Sequence, residues 1–158
     1  VIEPVFPGVL AYNQHPTADA VVRVEVLDAA SPYLAGVMDD NDDPQWWLEA
    51  SSYPITVLDP KRVRVLLRSR ELAERWGEEA VAVTFDHGQG EVFHMISHYY
   101  LQRTDLRSRR HLAAASDYWA EKGVVMDADT AAVADDLMLG EVESGYSSAR
   151  LFANVASE

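Results

Sequence analysis

Cysteine is absent from this 158-residue chain. That excludes disulfides, thiolate metal sites and a cysteine nucleophile together, and it fits a reducing, cytoplasmic setting. Lysine is nearly absent too: two Lys stand beside eleven Arg, against 26 acidic residues, for a net charge of −13. So acidic a body repels a phosphate backbone, and no nucleic-acid partner is expected. No apolar run approaches the roughly 18 residues of a membrane span, so none is expected either. The first residues, Val1 to Pro4, lack the basic region and apolar stretch of a secretory signal. They also lack an initiator Met, which suggests a processed product or part of a longer protein. What is present is apolar content of 48% with 9% aromatics, enough for a packed core at a length suited to one domain.

Residues 1–20 read as irregular, punctuated by Pro4, Pro7, Gly8 and Pro16. Val21 to Leu27 alternates, with Val22, Val24 and Val26 on one side and Arg23 and Glu25 on the other, the pattern of a half-buried strand. Ser31-Pro32 opens a turn. Asp39 to Asp43 forms an acidic loop that lacks the spacing and central Gly of a calcium-binding loop. Trp46, Trp47 and Leu48 suggest a short helix or buried turn. Further strands are expected at 53–58, 62–67, 80–85 and 91–97. Between the second and third of these, Ser69 is placed to cap a helix carrying Leu72, Ala73 and Trp76, with Gly77 as its stop. From Thr104 the period lengthens to about 3.6 residues. Leu112, Ala115 and Trp119 share a stripe that Gly123 ends, and Asp127 or Asp129 caps a helix carrying Val133 and Leu137 up to Gly140. A final helix over 147–156 carries Leu151, Phe152 and Val155. The expected organisation is a strand-rich part over 1–103 and a helical C-terminal segment over 104–158 packed on the same domain.

The segment from Ala80 to His98 concentrates the chemistry. It reads as strand, glycine turn, strand, and holds His87, His94 and His98. On a strand, His94 and His98 share a face but lie about 13 Å apart at 3.3 Å per residue, too far for one ion. His87, across the hairpin, could approach either. His87, His94 and His98 are therefore the candidate ligands should zinc or iron bind, although no metal or other cofactor is the favoured expectation. Ser97 and His98 are strand neighbours facing opposite sides, and no nucleophile elbow occurs, so a serine hydrolase is not supported. Asp86 with His87 or His98 stays open as an acid–base pair. Gly88 and Gly90 lead into a strand rather than a helix, which favours a hairpin turn over a phosphate cradle.

Beyond the hairpin, Tyr99 and Tyr100 precede Arg103, Arg107, Arg109 and Arg110, the one concentrated basic stretch. Arginine pairs bidentately with carboxylates and phosphates. Here it suits a contact with this chain's own acidic surface, with a second subunit, or with an anionic ligand or partner.

His15-Pro16, the strand Val22–Leu27, Ser31–Gly36, Val63–Leu66, Ala80–Val83 and Gly88–His94, with His98 closing the last strand, follow a familiar order. Over about residues 10–100 that order resembles the later part of the trehalose-utilisation-protein family, a branch of the class I glutamine amidotransferase-like superfamily. Glu91 stands where that family usually has Arg, and the sequence after Tyr99 departs from it. The resemblance implies a layered α/β fold of the flavodoxin-like or amidotransferase-like kind, with a mixed sheet of about five strands. In active amidotransferases a Cys on a strand–helix elbow works with a His beyond a later strand. His98 would match that strand end, but the Cys is missing, so glutaminase chemistry is not implied. The first strands of a complete flavodoxin-like domain would come from another chain or from the rest of a precursor.

Three readings follow. One is a non-catalytic interaction or ligand-binding module that assembles with another chain or itself, its surface built on Tyr99, Tyr100, Arg103, Arg107, Arg109 and Arg110. A separate one is a structural subunit of a larger complex, with the missing Met marking maturation cleavage. The remaining one is a metal- or His/Asp-dependent hydrolase of a small polar or sugar-like substrate, using Asp86, His87, His94 or His98.

Overall fold

A computed structural model describes residues 6–37, 45–97, 109 and 112–158. Among these residues the fold is mixed α/β, a multi-stranded antiparallel sheet with four helices. Its strands are β1 (Leu10–Tyr12), β2 (Ala20–Arg23), β3 (Glu25–Val26), β4 (Gln45–Leu48), β5 (Ile55–Val57), β6 (Arg64–Arg68), β7 (Ala80–His87) and β8 (Gly90–Met95). The helices are α1 (Arg70–Trp76), α2 (Ala115–Glu121), α3 (Ala128–Asp135) and α4 (Leu139–Ser157), with a 3-10 turn at Pro32–Leu34. Six strands form one sheet in the order β1-β5-β7-β6-β3, with β8 also paired to β7; β2 and β4 form a second, two-stranded sheet.

Strand β7 organises the molecule. Ala80 to Phe85 are all buried, so both faces of the strand are covered, which explains why apolar residues run almost without interruption there. The strand emerges only at Asp86 and His87. Phe6 packs edge-on against Phe85 on one face, ring centroids 4.9 Å apart. On the other face Tyr33 tilts over Phe93 at 5.1 Å.

Every described strand pair is antiparallel, so the mixed sheet expected from the resemblance is not what these residues build. The cause is local: β7 and β8 are joined by two residues, and β6 returns to β7 through the single short helix α1, too little chain for a parallel crossover of a dozen or more residues. Three further expectations are corrected. Trp46, Trp47 and Leu48 form strand β4 rather than a helix or turn, because Trp47 and Trp46 register against Val21 and Val22. Residues 10–12 form β1 within the stretch read as irregular, since Leu10 and Tyr12 pair with Val57 and Ile55. The strand from 91 ends at Met95 instead of 97: Ile96 still donates to Val81 O, but Ser97 turns to φ +71°.

The helix starts and stops follow capping chemistry. Ser69 accepts from Leu72 N, and Gly77 closes α1 in the left-handed conformation at φ +84°. Asp127 caps α3 by accepting from Thr130 N. Gly140 does not terminate a helix as expected; it is buried in the first turn of α4, which runs the full length from Leu139. The antiparallel bridge Ala114–Met138 turns the chain there, so α3 stops at Asp135 and α4 starts afresh. Leu112 and Val133 were expected on buried stripes and are instead outward-facing, at 54% and 67% exposure. Leu151 on α4 joins the core formed by the sheet strands, with Val155 packed against it.

Candidate functional site

The hairpin β7–β8 carries the candidate chemistry, and its register decides what can meet. His87 opposes Gly90, Asp86 opposes Glu91, and Val83 opposes His94. Gly88 takes φ +63° while Gln89 is absent from the positive-φ residues, the arrangement of a type II′ turn with Gly first. Paired residues share a face, so His94 lies with Val83, Phe85 and His87. His87 stands four residues beyond Val83, about 13 Å along the strand. The two imidazoles thus share a face without meeting. Asp86 is on the opposite face from its neighbour His87, and both are exposed.

Each imidazole has an aromatic companion. The His87 ring stands edge-on to Phe6 at 5.0 Å. His94 Nε2 lies 3.0 Å from the Tyr12 hydroxyl, with the rings edge-on at 5.6 Å. Burial lowers the His94 pKa and raises that of Tyr12, so near neutral pH both are uncharged. A neutral imidazole bonded to a phenol can hold or pass a proton, provided a substrate reaches it.

The other face is built around Glu91, which sequence reasoning had singled out only as a departure from the family pattern. Its carboxylate accepts from Thr84 Oγ1 at 2.5 Å, Tyr33 Oη at 2.9 Å and Arg64 Nη2 at 3.2 Å. Those donors hold the Glu91 carboxyl below the usual carboxylate range, the Thr84 bond contributing most, against a partly opposing desolvation. Asp28 lies 3.6 Å from Arg64 Nε and completes a small charged network. Nothing in the local pattern announces Tyr12 or Tyr33 as partners: each comes from more than 50 residues away in sequence.

Ser97 is held at the end of β8 by its own hydroxyl, which accepts from Glu49 N at 3.2 Å, while Trp46 Nε1 donates to Ile96 O at 3.0 Å. Arg109 is exposed in a turn, its carbonyl accepting from Leu112 N. His98, Tyr99, Tyr100, Arg103, Arg107 and Arg110 lie outside the described residues. Among the described residues, no three His, Asp or Glu side chains converge as metal ligands, and no helix is long and apolar enough to cross a membrane.

No known protein family, curated protein or solved structure matches this chain.

Proposed function

We propose that the chain is a non-catalytic interaction or ligand-binding module that assembles with another protein chain or with itself in a cytoplasmic setting. The observation that carries this reading is the outward placement of large apolar side chains on the helical segment: Val125 is 97% exposed and Val133 67%. A protein partner covering this segment would take these side chains out of water. The hairpin supports the same reading, since His87 and His94 share a face but stand about 13 Å apart, with Asp86 on the opposite face, so the three do not converge on one reacting atom. The acidic balance of −13 argues against nucleic acid as the partner.

An amidotransferase-like scaffold belongs to the proposal through the order of its motifs alone. Antiparallel pairing throughout the described strands weighs against flavodoxin-like layering, which would require parallel strands beyond those described. The second reading, a metal- or His/Asp-dependent hydrolase, is favoured by one contact, the neutral Tyr12–His94 pair at 3.0 Å.

Native mass spectrometry of the protein purified from its source, together with metal analysis, separates the two. A co-purifying chain or a stable multimer, with no stoichiometric metal, supports the module. Stoichiometric zinc or iron that disappears in His87→Ala, His94→Ala or His98→Ala supports the hydrolase and overturns the module.

A further inference from the structure

We propose that the corner where α3 meets the bridge into α4 is a docking site for a basic, amphipathic segment of a partner protein. This rests on the reading of the chain as an interaction module and names the chemistry of its partner. Two independent features carry it.

The first is apolar. Helix α3 buries a single side chain, Ala134, while Val133 and Leu137 are 67% and 47% exposed. Asp136 N donates to Val133 O and Leu137 N to Ala134 O, so the chain leaves α3 through a tightened turn, with Val133 and Leu137 both outward on either side of it. Leu112, also outward, flanks the same corner. Ala115 N donates to Leu137 O at 2.9 Å and Leu139 N to Ala113 O at 2.7 Å, holding the two chain segments side by side. An eight-residue helix is too short to persist on its own hydrogen bonds and depends on tertiary cover.

The second is electrostatic. Asp135 and Asp136 sit at the C-terminal end of α3, where the aligned peptide dipoles already concentrate negative charge. Asp135 accepts from Ser116 Oγ, which orients the carboxylate without neutralising it. No Lys or Arg occurs between Lys122 and Arg150. The charge preference of a helix end is therefore broken at the same corner that turns its leucine and valine outward. Cations from a partner would answer the dipole and the carboxylates while its apolar face covered Val133 and Leu137. A second copy fits less well, because two bodies of −13 repel one another.

The test uses the full chain and a labelled synthetic peptide of about 18 Lys and Leu residues with Leu confined to one helical face, followed by fluorescence anisotropy. A control peptide has the same composition with Leu dispersed around the helix. The amphipathic peptide is expected to bind about tenfold more tightly than the control, and more weakly as salt rises. Val133→Ser with Leu137→Ser should weaken binding about tenfold, and Asp135→Asn with Asp136→Asn about three- to tenfold with a flatter salt dependence. These side chains are exposed, so unchanged circular dichroism is expected as the folding control. Equal binding of both peptides, or unchanged binding by both double variants, overturns the site. A dimer in sedimentation equilibrium that Leu137→Ser abolishes, without peptide binding, overturns the basic partner in favour of a second copy. A native complex that survives both double variants overturns this corner and leaves the interaction module standing, whereas finding no native complex at all overturns the module itself.

Discussion

Two serines occupy backbone conformations that their side chains disfavour. Ser51 and Ser97 both have φ +71°, in the left-handed region where a Cβ crowds the following carbonyl. Ser51→Gly removes that crowding and should raise stability by up to about 1 kcal/mol, the relief exceeding the added freedom of the unfolded chain. Ser97→Gly should bring no such gain, because it also deletes the hydroxyl that accepts from Glu49 N. Chemical denaturation of the two variants in parallel measures the difference, and equal gains would show that the Ser97 hydroxyl contributes nothing. Glu91 is a second single-residue test. Its folded pKa is depressed by Thr84, Tyr33 and Arg64, so its stabilisation is complete above the ordinary carboxylate range and fades as pH falls through the lowered value. Glu91→Gln should cost about 1 kcal/mol at pH 7, a low figure because the cluster touches solvent, and progressively less in acid. Urea midpoints of both proteins at pH 7 and pH 3 check the sign; a gap that widens in acid would contradict it.

Among the elements, the β7–β8 hairpin shows how much a short motif can specify. Gly88 needs its positive φ, whereas Gly90 has no positive φ and faces open space. Gly88→Ala should cost about 1–2 kcal/mol and Gly90→Ala less than half of that, read from thermal midpoints. Equal costs would mean that the turn type is misassigned. At the other side of the sheet, α4 holds the 3-10 turn by its polar side chains. Arg150 Nε and Asn154 Nδ2 both donate to Ala35 O, at 2.9 and 3.0 Å, and Asn154 also donates to Tyr33 O at 2.9 Å. Gly36, at φ +68°, lies beneath Arg150, where an added Cβ would meet its Nε at 3.3 Å. Gly36→Ala should therefore destabilise by about 1–2 kcal/mol and speed amide exchange in the last turns of α4. Unchanged exchange there would show that the contact does not anchor the helix.

At the scale of the whole molecule, Leu151 ties the helical segment to the sheet: it is 2% exposed within the cluster that also contains Val81, Val83 and Leu66. Leu151→Ala should cost about 2–5 kcal/mol, and helix and sheet signals should lose structure in one coincident transition. Separate transitions would mean that the helices fold on a core of their own. Val26, expected on one face with Val22 and Val24, is 39% exposed, because the stretch 21–27 divides at Val24 between two sheets. The buried positions Val22, Val24 and Val63, the unbroken run at 80–85, and the caps at Ser69 and Gly77 were legible in the sequence. Each is set by period or by local hydrogen bonding within a few residues. Strand β1, strand β4 and the start of α4 were not, because Leu10, Trp46 and Leu139 take their conformations from pairing with distant segments. The candidate site divides the same way. Sequence placed His87 and His94 on one β platform and left their approach across the hairpin open; the register, with His94 opposite Val83 and His87 four residues further on, is what holds the imidazoles about 13 Å apart. Only the tertiary structure brought Tyr12 to His94 and Tyr33 to Glu91 and turned Val133 and Leu137 outward, because which surface a side chain meets depends on packing between elements that local pattern does not encode.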